Sequence, residues 1–460
     1  MNRSVSHHIW RISLRSAQMV GAAIVATGVF LREWWCSPAR GTDALLQAIG
    51  RAVVRLCTTL GATFIKVGQI ASTRADLLPR QLIQELATLR DQVPPFSFDA
   101  VRRTIEVDFG APLETLFAEF DPEPVAAASV AQVHRAVLHT NGGSATSGSA
   151  ASDRAAGDGR GERVAVKVRR PDIIEKVQLD RSILLFVARC MERLVPSLRL
   201  IALEGAIRNF CVAVEEQLHL TNEARNNERF TANFADDPDV LFPKLFPALC
   251  SDSVLTMAFI DGVREEDLEA RGIDVRRVVE AGMRCVCRMI FLHGFVHADL
   301  HPGNMRFLPP GRAVLFDLGL VGSLIDEDRL TTAGLLLAFA TGDGKTVAKI
   351  LFDSAAHTAT PDYAAYETEV CAMVDNLKSR GLGNMQITLE IGRIFDILRR
   401  HHIQADSHMT MVNLALMTAE GLGKRLAPDL SLADEALPYL AEALGVSVPL
   451  PTASVKQTPV

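Results

Sequence analysis

Asp299 and Asn304 stand five residues apart in "HADLHPGN", and Asp317 follows in "VLFDLGL", behind an apolar run that reads as a strand. This set of groups fits phosphoryl transfer from Mg–ATP. One carboxylate, Asp299, would orient the attacking oxygen. The amide oxygen of Asn304 and the carboxylate of Asp317 would hold Mg²⁺ on the phosphates. Mg²⁺ is hard and takes oxygen ligands, so Asn and Asp suit it where His and Cys would not. Asp, Pro, Gly and Asn are also ordinary turn formers, so the Asp-x4-Asn spacing alone would decide little. Asp317-Leu318-Gly319, about a dozen residues on and after a suitable strand, turns the balance toward a nucleotide site.

Such a site needs a lysine on a strand to hold the phosphates and an acid on a helix to position that lysine. "RVAVKVRRP" supplies Lys167. Val164, Val166 and Val168 alternate with Ala165 and Lys167, which is strand periodicity and places Lys167 on the face opposite the valines. The acid best placed is Glu223 in "LTNEARNNERF", on a predicted helix with Asn226 one turn further; Glu215, Glu216 and Glu228 compete for the role. A phosphate-covering loop should precede the lysine strand. Here Ala126, Ala127 and Ala128, followed by Ser129 and Val130, stand where glycines are expected. Glycine allows positive φ and close backbone approach, and the alanine Cβ hinders both. The loop is expected to present backbone N–H groups but to grip the phosphates differently. Taken alone, an alanine run more often means helix.

The order of these segments resembles the UbiB (AarF-like) atypical kinases, the group associated with ubiquinone biosynthesis. The resemblance runs from about Leu60 to about Asp429. "LGATFIKVGQIASTRADLLP" is similar to the Lys-x-Gly-Gln signature of that family, with Lys66, Gly68 and Gln69 in register. "AAASVAQVHRA", "VAVKV", "EARN", "VLTMAFIDG", "HADLHPGN" with "FDLGLVG", and "AEGLGKRLAPD" follow in the family's order. The resemblance implies that Lys167 contacts the phosphates of ATP or ADP and that Glu223 pairs with it. It implies that the backbone around Met257, Ala258 and Ile260 holds adenine. Asp299 matches the catalytic aspartate, and Asn304 and Asp317 match the Mg²⁺ ligands. Lys66 and Gln69 fall in a regulatory helix over the active site that closes off a protein-substrate dock. The alanine-rich loop is thought to restrain autophosphorylation and favour ATPase-like behaviour.

Two departures from the family pattern stand out. A Glu-x-Asp pair that engages the Lys-x-Gly-Gln lysine is replaced by Gln217 and His219. Lys66 is thus expected to lack its partners unless Glu215 or Glu216 substitutes. Ala131 stands where the family more often has glycine.

The elements that must position these groups give an α+β, bilobal, protein-kinase-like fold. It is expected to have an N-terminal segment (1–39), a helical extension carrying the Lys-x-Gly-Gln motif over the cleft (40–115), and a small lobe with an antiparallel sheet (116–262). A helical large lobe (263–440) and a polar tail (441–460) follow. The 460 residues are too many for one ordinary core. A hydrophobic fraction of 48% with 22% charged residues suits a large folded core. The net charge of −6 implies no global attraction to nucleic acid, and none is expected as a partner. Eight scattered cysteines form no Cys-x2-Cys pair, so neither zinc nor a disulfide framework is indicated and a cytoplasmic location is expected. Residues 139–163, rich in Gly, Ser and Ala, read as a flexible insertion between antiparallel strands. Residues 172–195 read as an amphipathic helix, and the chain after Asp317 as helical, with breaks at Gly342–Gly344 and Gly381–Gly383.

The apolar run 16–31, flanked by Arg11, Arg15, Arg32, Trp34 and Trp35, falls short of the roughly 20 residues that span a bilayer. It suits an interfacial helix or one packed on the protein's own core. Many family members end in two transmembrane helices; after Asp429 the sequence does not read that way. The function expected is that of a Mg–ATP-dependent kinase or ATPase supporting ubiquinone biosynthesis, on the inner face of the cell membrane. Its partners would be nucleotide, quinone-precursor lipids or quinone-biosynthesis proteins. The alternatives are a phosphotransferase acting on a small molecule or protein, and a nucleotide-sensing pseudokinase scaffold.

Overall fold

A computed structural model describes residues 2–37, 41–72, 78–89, 94–140, 161–194, 203–357, 362–380, 387–404 and 407–446. The chain divides into two compact units. One comprises Met1–Phe230, Phe242–Asp261 and Asp317–Gly319; the other comprises Thr231–Leu241, Gly262–Phe316 and Leu320–Val460. The chain passes between the units several times, one of the crossings falling at Asp261/Gly262. The helical extension is part of the same unit as the sheet, and Asp317–Gly319 joins that unit from within the later sequence.

The first unit begins with α1 (Asn2–Cys36), α2 (Thr42–Leu60), α3 (Ala62–Ser72) and α4 (Arg80–Leu86). Ala22, Cys57, Leu60, Phe64, Ile65, Leu86 and Leu89 form their shared core. α1 packs through small residues, Ala22 and Ala26, and through Arg15, whose guanidinium meets Asp180 at 2.6 and 3.0 Å and the Leu60 carbonyl at 3.0 Å. Met19 packs on the same core, while several of the large apolar side chains point outward: Val20, Ile24 (67% exposed), Leu31 and Trp35 (72%). The helical stretch Ser13–Cys36 has 24 residues with a mean hydropathy of 1.5, so it is long and apolar enough to cross a membrane. The helix thus extends past the 16–31 run at both ends, and the two readings of that run combine: one face belongs to the fold, the other is bare.

α5 (Phe98–Phe109) and α6 (Leu113–Leu116) lead into strands β1 (Glu119–Ala127), β2 (Ala131–Val137) and β3 (Arg163–Arg169). Then come α7 (Ile173–Leu194), α8 (Leu203–Glu216) and α9 (Leu220–Asn233). β4 (Val240–Leu241) lies in the second unit, and β5 (Val254–Ala258) returns to the first. The sheet runs β1-β2-β3-β5, antiparallel throughout. The alternation read in "RVAVKV" is real: Val164, Val166 and Val168 are fully buried against Val101 and Ile105 of α5. β2 and β3 are the antiparallel pair expected around the insertion, with Val137 opposite Arg163. The insertion's residues 141–160 lie outside the described residues.

The second unit places α10 (Val275–Cys287) beside two small sheets. β4 pairs with β8 (Arg312–Leu315), and β8 with β7 (Met305–Leu308). β6 (Phe295–His297) pairs with β9 (Val321–Ser323). The helices α11 (Asp326–Thr341), α12 (Gly344–Asp353), α13 (Tyr363–Arg380), α14 (Ile387–Arg400), α15 (Ser407–Leu426) and α16 (Leu432–Leu444) follow. The ribbon β10 (Ala356–His357) with β11 (Ile403–Gln404) interrupts them. Gly342 ends α11 with φ 75°, and the Asp343 side chain caps α12, as the break there predicts. Gly381–Gly383 fall outside the described residues. α16 runs past the expected end of the large lobe at 440.

Candidate active site

β3 carries Lys167 on the face away from the valine core, and α9 carries Glu223 in its first turn. The two meet. Lys167 Nζ donates to both Glu223 oxygens at 2.8 Å and to Asp317 Oδ1 at 2.8 Å. Lys167 and Glu223 are buried, while the Asp317 side chain is 40% exposed. Burial pushes the Lys167 ammonium toward neutrality, but the Asp317 and Glu223 carboxylates outweigh it and hold its pKa above the ordinary value. Burial pushes the Glu223 carboxyl up; Lys167 opposes this, and Asp317 adds to it. One cation is shared by two anions.

Asp317 has φ 61°, a left-handed conformation uncommon outside glycine. Asn226, one turn along α9 from Glu223, donates its side-chain amide to the Leu318 carbonyl at 2.8 Å. It thereby pins the segment that carries Asp317 to the helix that carries Glu223. A Cβ at Gly319 would lie 3.6 Å from Glu223 Oε2 and 3.7 Å from Asp317 Oδ1. The competing acids are accounted for in part: Glu215 pairs with Arg181 at 2.8 Å.

Ala126 and Ala127 end β1, opposite Val133 and Gln132. The run is therefore a strand entering a tight turn, in which Ala128 N–H donates to Ala131 O at 2.8 Å. Arg170 clamps the turn: its backbone N–H reaches Val130 O (2.9 Å), its Nε reaches Ala128 O (3.0 Å), and its Nη2 reaches Pro94 O (2.7 Å). Ser129 is buried. The expected alanine loop is thus a short closed hairpin, because the β1–β2 ladder continues to its last residue. Gln132 bridges the Phe96 backbone and His134 Nε2, and His134 Nδ1 lies 2.9 Å from the Asp121 carbonyl. These contacts fix a neutral imidazole that donates through Nδ1. On β5, Met257 stands opposite Ala165 on the Lys167 face, with Ala258 opposite Val164; Ile260 follows just beyond the strand.

Lys66 and Gln69 of α3 do different things. Gln69 Nε2 donates to Leu89 O at 3.1 Å, and a Cβ on Gly68 would sit 2.3 Å from Leu89 Cδ1. Gly68 and Gln69 thus fasten α3 to the end of the α4 region. Gln217 donates to Ala213 O, and His219 turns to Asp252 at 2.9 Å, beside Arg169. Arg169 and His219 overcome the burial that would raise the Asp252 carboxyl and hold it below its usual range. No motif or spacing announces this His219–Asp252–Arg169 knot, whose members come from distant segments.

In the second unit, the loop after β6 presents Asp299 and Asn304. Asp299 N–H donates to His297 Nδ1 at 3.0 Å, and the Asp299 carbonyl accepts from Asn304 Nδ2 at 3.1 Å and from His301 N–H at 2.9 Å. His301 Nδ1 accepts from Gly303 N–H. Asn304 is buried, and its carbonyl accepts from Phe316 N–H, the residue just before Asp317.

Residues 88–145 and 153–351 match the ABC1 atypical kinase-like domain, and residues 370–431 match the UbiB helical domain. A probable protein kinase UbiB of Shewanella piezotolerans is 31% identical over 396 residues, covering 85% of this chain and 69% of the relative. Another from Aeromonas hydrophila is 33% identical over 404 residues, covering 86% and 70%. A solved structure from Mycobacterium tuberculosis, titled as a complex of Rv3197 with erythromycin, is 20% identical and aligns over 79% of this chain and 91% of its own, with a TM-score of 0.47. With its ABC1 domain matched over more than half of its length and its helical domain matched after it, this chain belongs to the UbiB family of kinase-like phosphotransferases.

Proposed function

We propose that this protein binds Mg–ATP and turns it over, by hydrolysis or by phosphoryl transfer to a small molecule or protein, in support of ubiquinone biosynthesis. The observation that carries the reading is the Lys167–Glu223–Asp317 cluster, with three contacts of 2.8 Å. A buried lysine held charged by two carboxylates is ready to meet phosphate. A half-exposed carboxylate beside it suits a divalent cation, which would compete for the Lys167–Asp317 contact. Mg²⁺ would be held by Asp317 and Asn304 and would neutralise charge on the phosphates. Asp299 would orient water or an acceptor hydroxyl. Adenine would lie along the backbone of Met257–Ile260, facing the side on which Met257 and Ala165 meet.

The test is nucleotide turnover by the purified full chain, together with thermal stabilisation by Mg–ATP. Asp317→Asn removes the full negative charge among the proposed metal ligands. It should weaken Mg-dependent stabilisation by at least about tenfold in nucleotide concentration. Equal stabilisation of variant and wild type would refute the metal assignment.

The bare face of α1 supports a peripheral position on lipid. Val20, Ile24, Leu31 and Trp35 point away from the fold, and Arg32 stands among them, 72% exposed along its side chain. Apolar residues with a tryptophan and a basic residue at the helix end suit the interfacial zone of a bilayer. There the enzyme would meet lipid-soluble quinone precursors.

A further inference from the structure

An apolar cleft lies wholly within the second unit, between α10, α15 and the paired strands β7 and β8. None of its lining residues is charged, and Thr418 supplies the one hydroxyl. All of them are buried except Gly282 and Thr418, which are half-buried, so the mouth opens between α10 and α15. Counting the open space at the mouth, the cleft encloses about 510 Å³, within the range of small-molecule sites. Protein interiors are close-packed, and a gap between two helices is ordinarily filled by side chains. Here a Cβ on Gly282 would meet no atom within 4 Å, although alanine is the better helix former. At Gly423 the walls do close: a Cβ there would sit 2.4 Å from Met283 Cε and 3.5 Å from Val279 Cγ1. The space is therefore a slot, wide at Gly282 and pinched at Gly423, where the adaptable Met283 stands in the way.

The back of the slot adjoins groups described above. Leu300 and Met305 line it, and they directly follow Asp299 and Asn304 in the chain. The late motif "AEGLGKRLAPD" also finds its place here. Glu420 pairs with Lys424 and Arg425 with Glu265, while Ala419, Leu422 and Gly423 face the slot. We propose that this cleft takes the hydrocarbon tail of an amphiphile, with the head outward between Gly282 and Thr418 and the tail running in behind the loop that presents Asp299 and Asn304. A charged ligand would lose its hydration against walls that offer no partner. A broad ring system would not pass the pinch at Gly423. A slender chain meets both limits, and prenyl and acyl tails share that chemistry. The slot contains none of the residues assigned to the nucleotide, so the proposal goes beyond the Mg–ATP reading and stands or falls without it.

The experiment titrates the full-length protein, without nucleotide, with geraniol, n-decanol and the terminal diol of decane. Binding is measured by calorimetry and by the methyl signals of isotopically labelled methionine. Wild type should bind geraniol or n-decanol, with the Met283 and Met305 signals shifting. The diol must bury a second hydroxyl and should bind at least about tenfold more weakly than n-decanol. Gly282→Leu places a side chain in the empty mouth, and Ala419→Leu narrows the slot. Each should fold and weaken tail binding by about tenfold or more. A preference for geraniol or for n-decanol tells a prenyl from an acyl tail, and either supports the cleft. No binding by wild type overturns the proposal. So does binding undiminished in both variants, which would put the tail on another apolar surface such as α1. If both variants fail to fold, the wild-type spectra decide: shifts at Met283 and Met305 support the cleft, and shifts that spare them overturn it.

Discussion

Lys167 is the only cation bonded to Glu223 among the described residues, and it holds Asp317 as well. Replacing it with methionine leaves two carboxylates facing each other, one of them buried. Removing one partner of a buried pair costs about 3–5 kcal/mol, although Glu223, already pushed up by burial, can shed part of that by taking a proton. Lys167→Met should therefore be destabilised by about 2–4 kcal/mol, and Lys167→Met/Glu223→Gln should recover most of the loss. Urea unfolding of the two variants and wild type measures this, and additive losses would contradict the shared-cation picture. These residues were legible in the sequence because strand alternation fixes the face of Lys167 and because motif spacing locates Asp299, Asn304 and Asp317. Glu223 is the acid the sequence favours over Glu215, Glu216 and Glu228, and tertiary packing pairs it with Lys167. In the sequence Asn226 is distinguished only by its place one turn along the helix from Glu223. Its bond to Leu318 O spans 92 residues and ends on a carbonyl, which leaves no pattern in side-chain types.

Among the elements, the loop that presents Asp299 and Asn304 depends on a glycine that precedes its strand. Gly294 has φ 55°, its carbonyl accepts from Leu324 N–H, and a Cβ there would sit 2.8 Å from the Leu324 carbonyl oxygen. Gly294→Ala thus combines a left-handed backbone with a collision against backbone that cannot swing away. It should cost about 2 kcal/mol or more. Gly282 in α10 has no atom within 4 Å of its would-be Cβ, so Gly282→Ala should be neutral or gain up to about 1 kcal/mol. Melting temperatures of the pair check both signs, and a loss no greater at Gly294 than at Gly282 would contradict the argument. The β2–β3 hairpin and α7 were plain from periodicity. The alanine run was not, because alanine's intrinsic preference is helical. Here the partner strand overrides it: Ala126 and Ala127 continue a ladder that Val133 and Gln132 impose.

At the scale of the molecule, α1 turns the usual order of a surface helix inside out. Most of its exposed surface is large and apolar, and its packed face is built from Met19, Ala22, Ala26 and the Arg15–Asp180 pair. Substituting Val20, Ile24 and Leu31 together by glutamate leaves that buried face untouched. The variant should fold as wild type does and lose co-sedimentation with anionic liposomes. Retained sedimentation, or a wild type that ignores liposomes, would remove the lipid-docking idea. Composition showed that the segment was apolar; it could not show which side of the helix the fold would use, because the anchoring partner, Asp180, lies 165 residues away. That partner also governs how the enzyme can be shortened. α1 looks like a detachable leader, yet Asp180 is wholly buried, and trimming the chain back to Thr42 would strand it inside the protein without its cation. A shortened enzyme would therefore be a damaged one unless Asp180→Asn accompanied the cut. The first helix is separable in sequence and not in energy.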